Sequence, residues 1–160
     1  MLQQTLQADV QCAAQAEALR VLDAVAAQGE KALLFCESLA VQERLAELLR
    51  RRYDLSRRPA QITGEIAGPK RQGAVDAFQV GSGGFDVMLL TPRAGGVGLT
   101  LTAANHVIHL SRWWNPAVED QCNDRVYRIG QDKPVRIHIP MAIHPGYDQR
   151  SEEHTSELQS

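Results

Sequence analysis

Gln121, Arg125 and Arg128 are the residues of this 160-residue chain whose types and spacing could do chemistry together. Asn115 is a good N-cap and Pro116 a good first helical residue, so a helix is predicted to begin there. At about 100° per residue, the glutamine and the two arginines fall within about 60° of one another. Val118, Cys122, Val126 and Ile129 form a separate apolar stripe, centred about a quarter-turn away. Such a helix buries the stripe and aims a glutamine and two guanidiniums at one point. Gly130 is expected to end it as a C′ residue. Planar guanidiniums suit phosphate oxygens. Arginines at this spacing also occur on plain solvated faces, so the neighbouring residues must decide.

Those neighbours precede the helix. Phe85–Leu90 is an apolar run of strand type, and Thr91–Gly98 turns sharply after it, with Gly95, Gly96 and Gly98 letting the backbone approach a ligand closely. Glycines in a turn are often no more than a turn. Placed after a strand and ahead of the arginines, the ligand reading is favoured. His106–Leu110 is another strand, followed by Trp113 and Trp114, of which at least one is expected to pack.

Three segments carry a resemblance: AGGVGLTLTAANHVIHL, WWNPAVEDQ and DRVYRIGQ. They resemble the fifth and sixth helicase motifs of the Swi/Snf-type DNA translocases, superfamily-two ATPases built from two RecA-like lobes. The resemblance runs from about Lys31 to Met141 and is to the second, C-terminal lobe. Pro92 departs from the small or polar residue expected there and stiffens the turn. The resemblance implies ATP hydrolysis, with Mg²⁺ and the nucleotide held by a first lobe in the same polypeptide. It implies that Arg125 and Arg128 act as arginine fingers across the cleft, that Gln121 holds the fingers or the water, and that Gly95, Gly96 and Gly98 line the cleft. Fingers of this kind contribute roughly 10³–10⁵ in rate. It further implies contacts to the backbone of duplex DNA from Thr91, Arg93, Arg71 and Trp114, the last beside the groove. Opening and closing of the two lobes would then step this lobe along one strand.

The elements that must position these residues follow a strand–helix alternation. Ala18, Leu19, Leu22, Val25 and Ala26 have helical spacing, and Gly29 closes that leading helix. Lys31–Cys36 is a short apolar run, as expected of a buried parallel strand. Ser38 can cap the next helix, with Val41, Leu45, Leu48 and Leu49 as its apolar face. Gln61–Gly64 is a strand, and the loop to Pro69 opens a helix bearing Arg71 and pinned by Val75 and Phe78. That loop is either a phosphate-favouring helix N-terminus or an ordinary connection. Val135–Met141 is a fifth strand. The predicted fold is therefore α/β: a RecA-like parallel sheet of about five strands with helices on both faces, functional loops at its carboxyl edge.

Composition narrows the classes. A hydrophobic fraction of 44% suffices for one core. No apolar run is long enough to span a bilayer and Met1–Val10 lacks a signal pattern, so no membrane and a cytoplasmic (nucleoid-associated if bacterial) setting are expected. Cys12, Cys36 and Cys122 make no CxxC pair, and His138 and His144 meet no ligand spacing, so no metal is assigned to this lobe. Cys36 and Cys122 read as core thiols. Fourteen arginines against three lysines suit phosphate recognition or reflect a GC-rich genome. Arg50, Arg51, Arg52, Arg57 and Arg58 read as a solvated surface, with a nucleic-acid patch as the alternative.

The final stretch, RSEEHTSELQS, is polar and unpatterned. Back-translated, it resembles a common sequencing adapter read in frame; a native disordered tail is the alternative. Arg150, Glu152, Glu153 and Glu157 fall within it, so without it the formal charge of −2 becomes zero. The expected organisation is a leading helical segment over 1–29, the lobe over 30–141, a truncated extension over 142–149 and a non-native tail over 150–160. The sequence carries no GxxxxGK[ST] loop and no Asp-Glu box, so the chain is expected to hold half of an ATP site and to be inactive alone. Two other readings compete: an RNA helicase lobe, against which WWNPAVEDQ and RIGQ weigh, and a non-catalytic nucleic-acid-binding module, against which the two arginines weigh.

Overall fold

The computed structural model describes the backbone of residues 2–81, 83–95, 98–111 and 115–140, with side chains from residue 11 onward. Gly96, Trp113, Trp114, His144 and the segments 142–149 and 150–160 lie outside the described residues. In chain order the elements are α1 (Leu2–Ala27), β1 (Lys31–Phe35), α2 (Leu39–Arg52), β2 (Ala60–Ile62), α3 (Gly68–Val80), β3 (Asp86–Leu90), α4 (Pro92–Gly95), β4 (His106–His109), α5 (Pro116–Asn123) and β5 (Arg136–His138). Among the described residues the strands form one parallel sheet in the order β2-β3-β1-β4-β5. The expected α/β sheet of five parallel strands is present. Its strands begin and end within a few residues of the predicted ones.

The central strands β1, β3 and β4 are almost wholly buried because both their faces are covered, whereas β5 at the edge exposes Arg136 and Ile137. Side chains alternate across a strand, so Ala32, Leu34 and Cys36 join Leu22 and Val25 of α1 and Leu45 and Leu49 of α2 on one face. Leu33 and Phe35 join Val75 and Phe78 of α3 with Cys122 and Val126 on the other. Each fully buried Val, Leu or Phe among them contributes about 1.5–3 kcal/mol. Gly29 stands at φ 65°, the left-handed value expected of the residue closing α1. Ser38 Oγ accepts from Val41 N at 3.4 Å and caps α2. Burial pushes the Cys36 and Cys122 thiols up, the latter to about 11, as core thiols require.

Two expected apolar faces need correction. Leu48 is exposed; the helical period instead turns Gln42 inward, where its Nε2 donates to Cys36 O at 2.7 Å. Ile129 is fully exposed, because α5 stops at Asn123 and the chain continues in tight turns that no longer follow a 3.6-residue period. Gly130 does have a positive φ of 100°, but it lies beyond the helix rather than at its end.

The arginine run is satisfied locally. Arg50 and Arg51 pair with Glu47 at 3.0 and 2.7 Å, Arg52 with Asp23 at 2.7 Å and Arg58 with Glu43 at 2.7 Å. The solvated-surface reading is the one the geometry supports. Among the described residues no helix is long and apolar enough to cross a membrane.

At the amino edge of the sheet lies a partly buried polar chain, centred on buried His106, that the sequence did not announce. Glu30, just before β1, bonds His106 Nε2 at the start of β4. His106 Nδ1 meets His138 Nε2 of β5 at 3.1 Å, the rings stacked at 5.4 Å. With His106 Nε2–H donating to the carboxylate, the neutral arrangement has His138 Nε2–H donating to His106 Nδ1. Burial, then His106 and Arg136, hold the His138 imidazole below its usual value, and the His106 bond holds the Glu30 carboxyl below its own. Both shifts have one sign for stability: the unfolded chain binds more protons, so stability falls on acidification. The loss sets in below pH 6.5 for His138 and continues below 4.5 for Glu30. Urea midpoints of this chain are expected to drop from pH 7 to 5, and a His138→Phe variant is expected to flatten that segment. An unchanged slope in the variant would locate the effect elsewhere.

Candidate functional site

The arginines sit on a turn, not on a helix face. Asn115 Oδ1 accepts from Ala117 N at 3.0 Å and starts α5 as expected, but the helix ends before either arginine. Buried Cys122 and Val126 anchor the segment on either side of Arg125. Asn123 Oδ1 meets His109 Nε2 at 2.9 Å, and His109 stacks on Phe35, so the end of α5 is tied to β4. Leu101 N donates to Arg125 O at 3.0 Å, which joins the turn to the loop between α4 and β4.

The two guanidiniums differ in environment. Arg125 is only 8% exposed, its Nε donating to Gln121 O at 3.1 Å. Its Nη1 is buried and, among the described residues, has no hydrogen-bond partner. Burial first and Arg128 second lower its pKa from the usual arginine value. Arg128 is exposed, and its Nη1 donates to Thr100 Oγ1 at 3.1 Å. Gln121 is exposed on α5, one helical turn before Arg125. The structure links Arg125 to the Gln121 backbone and sets Arg128 close enough to act electrostatically on Arg125, by a turn rather than by the expected helix face. Exposed Tyr127 and Ile129 flank Arg128 in sequence.

The glycine segment is partly a helix. Where a sharp turn was expected, Pro92–Gly95 forms the short α4, with Pro92 at its start and Thr91 Oγ1 accepting from Ala94 N at 3.3 Å. Proline preorganises the first helical residue, so Pro92 is compatible with Thr91 as a cap. Gly98 has φ 66°, and an added Cβ would meet nothing within 4 Å, so glycine is required there by conformation rather than by space.

The carboxyl ends of β1, β2 and β3 open onto a cavity of about 340 Å³ lined by Glu37, Leu39, Thr63, Gly64, Thr91 and Arg93, among others. Thr91 and Arg93, expected to contact the DNA backbone, both line it. Arg71 does not line it; its Nη2 donates to Ile66 O at 2.7 Å, back into its own loop. Sequence reasoning gave no role to Gln79, Thr100, Thr102, His109, Asn123 or Gln131. Thr100, Thr102 and His109 lie within AGGVGLTLTAANHVIHL and Gln131 within RIGQ, so those four fell in the quoted segments, whereas Gln79 and Asn123 did not.

A family model, the helicase conserved C-terminal domain, matches residues 14–130. The chain belongs to this family. Within it, the lobe is of the SWI/SNF type. It is 40% identical over 121 residues to YwqA of Bacillus subtilis (strain 168), covering 75% of this chain and 13% of that protein. It is 34% identical over 119 residues to the SWI/SNF-related matrix-associated actin-dependent regulator of chromatin subfamily A member 1 of Mus musculus, covering 74% of this chain and 11% of that protein. The crystal structure of the C-terminal part of the Fun30 ATPase domain superposes with a TM-score of 0.68 at 30% identity, over 77% of this chain and 39% of that one. The helicase lobe thus spans only about a tenth of the length of these two relatives. Its RecA-like sheet places the arginine turn and the Thr91–Arg93 cavity as described above.

Proposed function

We propose that this chain is the C-terminal motor lobe of an ATP-dependent duplex-DNA translocase, and that it supplies Arg125 and Arg128 to a nucleotide bound by a first lobe. The observation that carries the reading is the buried, unpartnered Nη1 of Arg125 beside the exposed Arg128. A buried guanidinium nitrogen without an acceptor is costly. An anion delivered from outside the lobe would satisfy it, which is why the residues fit a triphosphate. Arg128, lightly held by Thr100, can swing to the same anion. Gln121 on the adjoining turn of α5 would hold the fingers or a water, and Gly95, Gly96 and Gly98 would shape the wall of the cleft. Mg²⁺, held by acidic residues of the first lobe, would neutralise phosphate charge there. In this lobe the two guanidiniums stabilise the charge that builds on the transferring phosphoryl group.

DNA contacts are assigned to Thr91 and Arg93 at the cavity rim, with Arg71 and Trp114 as further backbone contacts. Arg71 would first have to release the Ile66 carbonyl. The unit so defined is residues 30–141, preceded by the 1–29 segment and followed by the 142–149 extension and the 150–160 tail.

Steady-state ATP hydrolysis tests this. The chain alone is expected at background with or without DNA, and a polypeptide carrying both lobes is expected to turn over with stimulation by duplex DNA. Stronger stimulation by RNA would favour the RNA-helicase reading. No turnover, with nucleic-acid binding retained, would favour the non-catalytic module.

A further inference from the structure

We propose that Gln131 is a positioning residue for the arginine turn, an inference that rests on the finger role given above to Arg125 and Arg128. Its side chain Nε2 donates to Ala104 O at 2.7 Å and Thr102 O at 3.1 Å, and reaches Val126 O at 3.4 Å. Its Oε1 accepts from Lys133 N at 3.1 Å. Val126 lies between the two arginines in sequence, so one amide group fastens the backbone at the middle of the finger turn to the Thr102–Ala104 segment.

That segment is itself gripped from the opposite side. Gln79, near the end of α3, donates through Nε2 to Thr102 Oγ1 at 3.1 Å and accepts through Oε1 from Ala103 N at 2.8 Å. Leu101 N to Arg125 O and Arg128 Nη1 to Thr100 Oγ1 complete the connection. Two glutamines, one on α3 and one beyond the turn, therefore close on Thr102–Ala104; the finger turn bonds directly to the adjoining Thr100 and Leu101 and reaches Thr102 and Ala104 through Gln131. Buried Cys122 and Val126 anchor the first part of the turn, and the part that carries Arg128 lies outside the core. It is not helical, and its Tyr127, Arg128, Ile129 and Gly130 are exposed. A glutamine suits the post because its uncharged amide can serve several carbonyls with its N–H groups and one N–H with its oxygen. A carboxylate of the same shape would keep the Lys133 contact and repel the three carbonyls.

In the polypeptide carrying both lobes, Gln131→Glu is expected to lower kcat on the order of 10²-fold, the scale of a displacement of about 1 Å. The Michaelis constant for ATP should stay within about twofold, since positioning matters chiefly in the transition state. Gln131→Asn, too short to reach all three carbonyls, should not rescue it. Arg128→Ala introduced into the Gln131→Glu background should cost far less than it does alone, because the finger is already misplaced. A merely structural role would instead give multiplicative losses. Should the Gln131 variants fail to fold, Gln79→Met loosens the same segment from the other side and is expected to lower kcat about tenfold. If a folded Gln131→Glu protein keeps its kcat, or the two changes multiply, the positioning role is overturned while the finger reading stands on Arg128→Ala alone. If Arg128→Ala by itself leaves kcat unchanged, the finger reading falls and this inference with it.

Discussion

In a polypeptide carrying both lobes, Arg128→Ala is expected to reduce kcat for ATP hydrolysis by roughly 10³ or more, the scale of a lost arginine finger. The Michaelis constant should change little. Arg128 is exposed, and its described side-chain bond is to Thr100 Oγ1. Nothing in the core depends on it, so the fold should survive with a stability change within about 0.5 kcal/mol. A guanidinium that meets the phosphoryl group only on lobe closure contributes mainly to the transition state, and its loss therefore lowers kcat rather than raising the Michaelis constant alone. Arg128→Lys should rescue poorly, because a point charge does not replace a planar fork. Kinetics at saturating DNA, with nucleotide affinity measured separately, checks this. A rise in the Michaelis constant at unchanged kcat would make Arg128 a binding residue.

Arg125→Met is expected to separate activity from stability. The side chain is buried, its Nη1 lacks an acceptor, and burial disfavours its charge. Replacing a buried charge by an apolar side chain of similar length is often neutral or stabilising by about 1–4 kcal/mol. Among the described residues, methionine gives up the Nε bond to Gln121 O. The urea midpoint of the 160-residue chain should hold or rise. The kcat of the two-lobed polypeptide should fall by roughly 10³. A midpoint that drops clearly would make Arg125 a structural residue, present to complete the turn rather than to meet an anion. Arg125 and Arg128 thus carry different expectations, although the sequence gives them the same standing.

That difference marks what the sequence could reveal here. The centre of the sheet was legible because β1, β3 and β4 lie in short, mostly apolar runs flanked by turn residues, and burial on both faces leaves little else such a run could be. The cap at Asn115 and the closing Gly29 were legible for equally local reasons. The finger turn was not. Its residues continue an apparently good helical period through Val126 and Ile129, yet α5 ends at Asn123, where the Asn123 side chain meets His109. That bond, the Gln131 contacts and the Leu101 N to Arg125 O bond are all long-range, and no local pattern encodes them. The helical geometry from which Gln121, Arg125 and Arg128 were expected to share one face is replaced by a turn, with Arg125 buried and Gln121 and Arg128 exposed. Likewise, Thr91 and Arg93 were placed at the sheet edge by position alone, whereas the turn of Arg71 towards Ile66 O depends on the loop conformation. The Glu30–His106–His138 chain joins three strand ends distant in sequence, and histidines in apolar strands gave no hint of it.

The account rests on a guanidinium of this lobe touching the phosphoryl group as it transfers. Binding of ADP, alone and with aluminium fluoride as a mimic of that group, measures this most directly in the two-lobed polypeptide with duplex DNA. Transition-state mimics bind about 10² or more times tighter than ground-state ligands where such contacts exist. The unmodified polypeptide is predicted to gain at least that factor on adding the fluoride, and Arg128→Ala to lose most of the gain while binding ADP as before. An Arg128→Ala protein that keeps the full gain, or loses affinity for ADP and for the mimic equally, would contradict the account.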